Sequence, residues 1–338
     1  MLAAAHNGEL TVPATSSAEF HALVSQCGVY GLGSRAKVRL SGNDRARWLN
    51  GMITNNIRDL AVGHGAYAFL LNPQGRILGD LYAYNRGDSI CLDTDESQVA
   101  KMLEIFDHYI IMDEVAVENI SQQFTAVGIS GPKSESALLA AGIDVRSLAP
   151  LELRDSLWEQ IPVTLVRCEH EKRESYEIWL AAENAQQVRD ALIKHGAISI
   201  GDAALELYRV ALGLPLYGQD IRERDLPQET QQTRALNFSK GCYVGQEIVE
   251  RIRSRGAVHR IFSGFIFESG SPSAGSKVQV DGKDVGEITS IALLPLHSGT
   301  QNVGLGYIRR EAGSSGKEVI VGDTKATITE LPFKAVFG

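Results

Sequence analysis

The residues best suited to chemistry are concentrated in one segment, Lys-Gly-Cys-Tyr-Val-Gly-Gln-Glu at 240–247. Glycine permits unusual backbone angles and the close approach of a ligand, and two glycines flank the thiol here. Arg251, Arg253 and Arg255 follow, and a cationic neighbourhood favours the thiolate of Cys242. The pattern also fits a glycine-bounded turn before an amphipathic helix, with Cys242 as a small buried apolar side chain. The candidate residues of this signature segment are Lys240, Gly241, Cys242, Tyr243, Gly245, Gln246 and Glu247.

A single carboxylate interrupts the run of apolar and aromatic residues from Ile77 to Tyr84. The run has the character of a strand, so Asp80, Tyr82 and Tyr84 share one face. A carboxylate in a half-buried strand must be hydrogen-bonded or have a raised pKa. Asp80 is therefore a candidate functional residue, and its other interpretation is a surface acid at the edge of the strand.

The composition is that of an ordinary globular protein and argues against broad binding to nucleic acid. The 338 residues are 44% hydrophobic and 22% charged, with a formal net charge of −8. An acidic chain repels a polyanion, so we expect no direct binding to nucleic acid. The densest basic segment predicts either a local anion site or a solvated surface, and it comprises Lys240, Arg251, Arg253, Arg255, His259 and Arg260.

The four cysteines, Cys27, Cys91, Cys168 and Cys242, are widely spaced and include no Cys-x-x-Cys pair. They therefore predict neither a disulfide framework nor a metal site, since Cys168 and His170 alone are too few ligands. The first residues lack the basic and apolar regions of a signal peptide, and no apolar run has the length of a membrane span. We expect a cytoplasmic monomer that contacts no membrane.

Hydrophobic periodicity predicts an α+β protein that ends in a small β-barrel or sandwich. Trp48 to Ile53 and Val99 to Phe106 have the apolar spacing of helices, and residues 65–93 between them alternate as an antiparallel meander. Strands and helices then alternate to about residue 211, including a hairpin that joins 163–167 to 176–180. After Arg255, six short strand-like runs separated by turns indicate the barrel.

The sequence divides into three expected segments. We expect a loosely ordered arm at 1–20, an α+β region of two interleaved lobes at 21–255, and the barrel domain at 256–338. The glycines of Gly31-Leu-Gly33 are reminiscent of a dinucleotide-binding fingerprint, but the strand-like Lys37–Leu40 follows where that fingerprint requires a helix. We therefore reject dinucleotide binding.

The signature segment resembles that of the YgfZ family, folate-binding proteins related to the T-protein, the aminomethyltransferase of the glycine cleavage system. Gly42-Asn-Asp44 with Trp48-Leu49, Asn72-Pro-Gln-Gly75 and Val285-Gly-Glu-Ile-Thr-Ser290 are similar to further blocks of the family. The resemblance implies a three-lobed cloverleaf of α+β lobes with antiparallel sheets and a C-terminal β-barrel, around a folate-binding opening. T-proteins usually carry Gly-Arg-Glu and no cysteine in the signature, so this segment favours the YgfZ branch.

The resemblance also implies roles for individual residues. Asp80 matches a catalytic aspartate that faces the reactive nitrogens of tetrahydrofolate, and Tyr67 and Tyr84 match folate-facing aromatic positions. Ala211 stands where T-proteins have an acid that meets the pterin, and Glu229 is a candidate to replace that acid. The glutamate tail of a folate is a polyanion, which cations hold, and the residues expected to do so are Lys240, Arg251 and Arg253.

The leading hypothesis is a factor that binds polyglutamylated tetrahydrofolate and supports the assembly or repair of iron–sulfur enzymes, including those that modify tRNA. Its partners are then iron–sulfur assembly proteins or client enzymes, and Cys242 is its essential thiol. The alternative is a folate-dependent aminomethyl or other one-carbon transferase of the T-protein type, in which Asp80 acts. A cluster carrier is disfavoured, because one prominent thiol does not bind a cluster by itself. The sequence leaves open whether any reaction is catalysed.

Overall fold

The computed structural model describes residues 13–169, 174–256 and 258–337. Within these residues the chain forms two compact units. The barrel unit comprises the described parts of Met1–Val24, Ile200–Gln232 and Val249–Gly338, and the two-sheet unit comprises those of Ser25–Ser199 and Thr233–Ile248. The signature segment therefore belongs to the two-sheet unit, which the chain re-enters at Thr233.

The regular elements are numbered in chain order. The helices are α1 (Ala14–Ser25), α2 (Arg45–Met52), α3 (Glu96–Tyr109), α4 (Ser134–Ala140), α5 (Ala185–Lys194), α6 (Asp202–Leu212), α7 (Gln246–Arg255) and α8 (Lys334–Phe337). The strands are β1 (Gly28–Gly31), β2 (Arg35–Ser41), β3 (Gly65–Leu71), β4 (Ile77–Asn85), β5 (Ile90–Asp95), β6 (Ala116–Asn119), β7 (Thr125–Ser130), β8 (Leu153–Trp158), β9 (Ile161–Arg167), β10 (Ser175–Leu180), β11 (Ile198–Ser199), β12 (Arg260–Phe267), β13 (Lys277–Val280), β14 (Lys283–Leu296), β15 (Gly299–Arg309), β16 (Glu318–Val321) and β17 (Thr324–Thr329). Short 3-10 helices lie at Ser121–Gln123, Ala182–Asn184, Pro227–Thr230, Thr233–Ala235 and Arg310–Ala312. Among the helices described, none is long and apolar enough to cross a membrane.

The first sheet of the two-sheet unit has the strand order β3-β4-β5-β2-β6, and its neighbours are antiparallel. Side chains alternate between an apolar face and a polar, aromatic face, because successive residues of a strand point to opposite sides. The apolar face includes Ala68, Leu81 and Leu92, which are buried with Trp48 of α2 and Phe106 of α3. The two helices therefore cover the apolar face.

The elements predicted for this region are confirmed. Strands β3, β4 and β5 form the expected meander, and α2 and α3 are the expected helices. Helix α2 ends at Met52 because Ile53 is extended, with φ −119° and ψ 161°, and bridges to Leu70. The strand expected after Gly33 is β2.

The second sheet of the same unit has the order β11-β1-β7-β10-β9-β8, in which only the β1–β11 pair among the described neighbours is parallel. The predicted hairpin of β9 and β10 is confirmed, with Ile178 opposite Leu165. Strand β8 was not predicted, because its residues 154–157 are all exposed. They lack the alternation that marks a half-buried strand.

The barrel unit contains a closed barrel with the order β12-β15-β14-β13-β16-β17. Each of the six strand-like runs expected after Arg255 corresponds to one of these strands, so the predicted barrel is confirmed. Asp281 and Gly282 have φ of 50° and 72°, as a tight hairpin turn requires. Strand β14 extends further than predicted, because it pairs with β15 up to Leu296 opposite Gly299.

Helix α1 corrects the expected N-terminal arm at 1–20. Residues 1–12 lie outside the described residues, but Ala14–Ser25 is helical. Phe20 is 1% exposed and is buried with Val210 of α6 and Phe262 of β12. Burying an aromatic ring stabilises the helix against local sequence preference, which alone suggests a loose arm.

Helix α6 belongs to the same compact unit as the barrel, whereas the sequence predicts a domain boundary at 255. The Arg209 guanidinium donates hydrogen bonds to Asp220 at 2.7 Å and to Ser290 of β14 at 3.0 Å. The Ser290 hydroxyl donates in turn to Asp220 at 2.7 Å. This polar network joins segments far apart in sequence, and the change of character after Arg255 does not reveal it.

Candidate functional site

Asp80 lies on the polar face of the first sheet, and both of its carboxylate oxygens are held. Tyr67 Oη donates to one oxygen at 2.7 Å and Gln98 Nε2 to the other at 2.8 Å. The backbone is fixed as well, because Asp80 N donates to Gln98 Oε1 at 2.9 Å and Asp80 O accepts from Thr94 at 2.7 Å. The side chain is half-buried, and its oxygens keep lone pairs for a ligand. The expected hydrogen-bonded acid is therefore present, while its catalytic role stays a prediction.

Tyr67 does not offer a stacking surface, which corrects the expectation that its ring faces folate. The residue is 4% exposed, with the Arg234 guanidinium 4.5 Å from its ring centre and the Tyr82 ring 4.9 Å away. Burial, and after it the charge of Asp80, raises the pKa of Tyr67 well above its usual value. Tyr67 therefore keeps its proton and acts as a hydrogen-bond donor to Asp80.

Arg234 connects this face to the second sheet. Its Nη1 forms an ion pair with Glu169, which follows β9, and lies 3.5 Å from the hydroxyl of Tyr82. Its backbone oxygen accepts a hydrogen bond from Asn55 Nδ2 at 2.9 Å. Side chains from both sheets of the unit thus form one polar cluster around Tyr67.

Tyr84 packs between the two sheets, which corrects the prediction that it contacts folate. It is 3% exposed, and its ring meets Trp179 of β10 edge-on at 5.4 Å. Cys91 and Val166 complete the same apolar cluster. Tyr82 shares the face of Asp80 and is only half-buried, so it is the more accessible ring, although the sequence did not single it out.

Buried and half-buried charges lie between the sheets beside the tyrosines. Lys37 Nζ and Arg35 Nη2 contact the two oxygens of Asp93 at 2.6 and 2.9 Å. Burial raises the pKa of Asp93, but the two cations outweigh it and hold the pKa below its usual value. Burial, and next the charge of Asp93, raises the pKa of Glu177, which accepts a hydrogen bond from Trp179 Nε1 at 2.7 Å. Asp93 therefore balances the cations at the centre of the unit.

Lys240 has a structural role, which corrects its predicted contact with the folate tail. It is 8% exposed, and its ammonium donates three hydrogen bonds of 2.6 Å to the backbone oxygens of Asn50, Ile53 and Asn55. These bonds use every proton of the ammonium. Burial lowers the pKa of Lys240 to about 7. The acceptors lie at the C-terminal end of α2 and just beyond it, where a cation is favourable, so Lys240 fastens the signature segment to that helix.

The two glycines of the signature segment differ in role. Gly245 has φ of +81°, and a Cβ there would lie 2.6 Å from the backbone oxygen of Asn72. Glycine is therefore required where this segment packs on the turn between β3 and β4. Gly241 is exposed, with open space where a Cβ would be. Tyr243 is buried, and its backbone N donates to Gln246 Oε1 at 3.3 Å, so most of the segment shapes a turn.

Cys242 is exposed, as is Glu247, so the interpretation of Cys242 as a buried apolar side chain is wrong. Cys27 and Cys91 are buried, and Cys168 is half-buried. Burial raises the pKa of Cys91 to about 12 and also raises the pKa of Cys168. Exposure therefore distinguishes the thiol of the signature segment from the other three.

Iodoacetamide should alkylate Cys242 faster than Cys91 by about tenfold or more at pH 8, because a buried thiol with a raised pKa presents little thiolate to the reagent. Mass spectrometry of peptides sampled over time measures both rates. In urea, which unfolds the protein and exposes both thiols, the two alkylation rates should converge. This measurement controls for the effect of neighbouring residues in the chain on each thiol. Equal rates in the folded protein would contradict the exposed position of Cys242.

Arg251 and Arg253 lie on α7, the helix predicted after the signature turn, and both are exposed. Arg253 Nη1 lies 3.4 Å from Glu250 of the same helix, and an exposed pair of this kind contributes little to stability. Contact of these arginines with a folate tail stays a prediction. The side chain of Arg255 lies outside the described residues.

Glu229 is engaged by the protein itself, which corrects its predicted contact with a pterin. Its two oxygens accept from the Arg260 guanidinium at 3.1 and 3.0 Å, and one also accepts from Leu226 N at 3.0 Å. Ala211 is fully buried in the core of the barrel unit beside Val210. Neither Glu229 nor Ala211 therefore offers a carboxylate to a ligand.

No metal site is found within the described residues. None of their His, Cys, Asp and Glu side chains form a group of three that could hold an ion. Of the one pair considered from the sequence, Cys168 is described and His170 lies outside the described residues.

Sequence patterns did not identify Gln98, Glu169 or Arg234 as residues of the site. Gln98 follows Ser97, whose backbone N is capped by Asp95 at the start of α3, and a polar residue in a first helical turn usually lies at the surface. Its position next to the apolar stripe of α3 was the one available signal, because it is only 5% exposed. Glu169 and Arg234 lie outside the predicted strands and helices, and only the folded chain brings them together.

Comparison with known proteins finds relatives that are similar to this chain along most of its length. The aminomethyltransferase of Bacillus subtilis is 28% identical over 327 residues, which cover 93% of this chain and 90% of that protein. A chloroplastic protein of Arabidopsis thaliana, provisionally named a transferase, is 27% identical over 302 residues, which cover 88% of this chain and 69% of that protein.

A solved structure and a family model extend the comparison. The crystal structure of glycine cleavage system aminomethyltransferase T from Bartonella henselae matches with a TM-score of 0.83 at 20% identity, covering 96% of this chain and 90% of that one. This likeness confirms the predicted α+β fold with its C-terminal barrel. The model of the GCVT N-terminal domain matches residues 8–240. The chain therefore belongs to the GCVT N-terminal domain family.

Proposed function

We propose that this protein binds tetrahydrofolate and uses it to transfer an aminomethyl or another one-carbon group. The observation that carries the proposal is Asp80, a half-buried carboxylate whose oxygens are oriented by Tyr67 and Gln98. Similarity to aminomethyltransferases along nearly the whole chain supports it. Of the two functions expected from the sequence, these similarities favour the transferase.

The polar face of the first sheet has groups that suit a reduced pterin. Tyr82 offers a partly accessible aromatic ring, and the carboxylates of Asp80 and Glu169 accept hydrogen bonds from ring N–H groups. Tetrahydrofolate, when bound, supplies the nitrogen atoms that carry a one-carbon unit. Asp80 exchanges a proton at its oxygen while Tyr67 and Gln98 keep that oxygen in place.

Titration calorimetry with tetrahydrofolate and 5,10-methylenetetrahydrofolate tests the proposal. We expect both to bind, more tightly with a longer glutamate tail, and we expect added salt to weaken binding where Arg251 and Arg253 hold that tail. If tail length has no effect, only the role of the arginines is lost. The absence of both binding heat and thermal stabilisation with every reduced folate would rule out the function.

A second candidate is the YgfZ-type role, in which a folate-binding protein supports the assembly or repair of iron–sulfur enzymes, including those that modify tRNA. The exposure of Cys242 favours this role, because a thiol at the surface contributes little to packing. The partners are then iron–sulfur assembly proteins or client enzymes. A strain without the protein separates the candidates: this role requires loss of iron–sulfur enzyme activities, whereas aminomethyl transfer requires loss of growth that depends on glycine cleavage.

A further inference from the structure

A cavity of about 350 Å³ lies between the two sheets of the two-sheet unit. The first sheet contributes Lys37 and Arg39 of β2 and Cys91 of β5, and the second sheet contributes Trp179 of β10. Asp80 and the partners of its carboxylate are not among the residues that line it. Pockets for small molecules have volumes of about 300–1,000 Å³. The cavity therefore accommodates a small organic molecule at a place separate from Asp80.

The inner end of the cavity holds the ammonium of Lys37. The side chain of Lys37 is 3% exposed and that of Arg39 is 46% exposed, so Lys37 lies deep in the cavity and Arg39 lies at its mouth. Within the described residues this ammonium donates one hydrogen bond, to Asp93 at 2.6 Å, although it has three protons to donate. Donors removed from water are normally satisfied. Two protons of the ammonium are therefore available to a ligand.

The charges around the inner end leave an excess of positive charge. Lys37 shares Asp93 with Arg35, so two cations face one carboxylate. The charge of Lys37 also acts on Glu177, but burial raises the pKa of Glu177 and favours its neutral form. A negatively charged ligand would complete the balance.

The acids that line the cavity do not cancel this charge. Both oxygens of Asp155 accept hydrogen bonds from Arg86 Nη2 at 2.7 Å. Asp88 is exposed, where water and salt screen its charge. An anion that enters the cavity therefore meets an ammonium whose charge is only partly balanced.

We propose that this cavity binds a small aromatic carboxylate, with the carboxylate at Lys37 and the ring against the apolar part of the wall. Ile120 and Phe124, which lie between β6 and β7, form that part together with Trp179. The Trp179 ring centre is 4.2 Å from Lys37 Nζ, so one molecule reaches both the charge and the rings. Aromatic rings pack favourably on one another, and Phe124 is 37% exposed without a ligand. The inference is independent of the proposed function, because the cavity does not include Asp80.

Titration calorimetry on the full chain with naphthalene-2-carboxylate tests the site, and the neutral naphthalene-2-carboxamide is the matched ligand. We expect a Kd below about 1 mM for the carboxylate and at least about tenfold weaker binding of the amide, which has no charge for the ammonium. Lys37→Met should reduce this preference to less than about threefold, as in a double-mutant cycle. Asp93 keeps Arg35 as its partner in that variant. Arg146→Gln removes an exposed cation of the same unit and should match the wild type.

Two further measurements locate the bound carboxylate. Ser89→Trp adds a ring at a residue that lines the cavity and removes no charge, so it should abolish binding. Saturating tetrahydrofolate should change the Kd of the carboxylate by less than about threefold, because separate sites couple weakly. Loss of carboxylate binding on addition of tetrahydrofolate would overturn the proposal of a separate site.

The remaining outcomes separate this inference from the proposed function. No binding heat with the carboxylate, or equal affinity for the carboxylate and the amide, would overturn the inference and leave the proposed function standing. If the wild type binds no reduced folate, the proposed function fails, and the carboxylate titration still decides on the cavity. Should Lys37→Met not fold, the preference of the wild type for the carboxylate and the effect of Ser89→Trp decide.

Discussion

Asp80→Asn should slow folate-dependent one-carbon transfer by a factor of about 10²–10⁴, the usual contribution of a positioned proton-transfer group. Asparagine keeps the shape of the side chain and one acceptor oxygen for Tyr67 or Gln98, but it does not take up a proton. We measure the consumption of ¹³C-labelled 5,10-methylenetetrahydrofolate in the presence of an amine acceptor, above the rate without protein. Folate affinity and melting temperature should change little, because the surrounding strand is unaltered.

Two comparisons make this result interpretable. Asp88→Asn removes an exposed carboxylate next to the same sheet and should leave the rate unchanged. Tyr67→Phe removes one donor to Asp80 and should reduce the rate less than Asp80→Asn does. A wild-type rate in Asp80→Asn would show that Asp80 only stabilises the sheet.

Asp93→Asn should lower the free energy of unfolding by about 3–5 kcal/mol at neutral pH, because it leaves the buried ammonium of Lys37 and the half-buried guanidinium of Arg35 without their ion-pair partner. Lys37 and Arg35 both pair with Asp93, which is 2% exposed. Urea unfolding of the two proteins measures the difference. Asp88→Asn again serves as the control and should unfold like the wild type.

The pH dependence of this difference has a definite sign. The pKa of Asp93 is lowered in the folded protein, so its stabilisation is present above the unfolded value and is lost as the pH falls through the folded value. The difference in unfolding free energy between wild type and Asp93→Asn should therefore be largest at pH 7 and should decrease below about pH 4. A difference in unfolding free energy that stays constant from pH 7 to pH 3 would contradict the explanation by charge pairing.

Alternation along the sequence readily predicts a strand of which one side is buried and the other is exposed. Strand β16 alternates exposed and buried residues along Glu318–Val321, so its pattern was visible in the sequence. Strand β8 exposes residues 154–157 and has no such pattern. Helix α1 depends on burying Phe20 beside Val210, a contact far away in sequence that no local pattern announces.

Local sequence patterns predicted only part of the site. The alternation of β4 correctly placed Asp80, Tyr82 and Tyr84 on one face, but what lies opposite each residue depends on the tertiary fold. Trp179 covers Tyr84 and Arg234 covers Tyr67, so both rings expected at folate are closed off. Residue spacing therefore identified Asp80 as a hydrogen-bonded acid, but Tyr67 and Tyr84, which were expected to contact folate, are buried.

Lys240 was misjudged for a related reason. It belongs to the densest basic segment, which suggested a cation that holds the folate tail, yet its side chain reaches the end of α2. Distance along a chain says little about where the end of a four-carbon side chain lies. Its three acceptors are backbone oxygens, which every residue type has, so the sequence does not reveal these contacts.

The attachment of Lys240 also imposes an order of assembly on the two-sheet unit. Its acceptors Asn50 and Ile53 precede it by 190 and 187 residues, and the intervening chain includes 200–232, which belongs to the barrel unit. Closing so long a loop costs conformational entropy and is slow compared with forming hairpins. During synthesis every strand of the two sheets is made before residue 240, so the segment that carries Arg234 and Cys242 is the last part of the two-sheet unit to be made. The contacts of Lys240 and Arg234 can therefore form only after more than two thirds of the chain has been made.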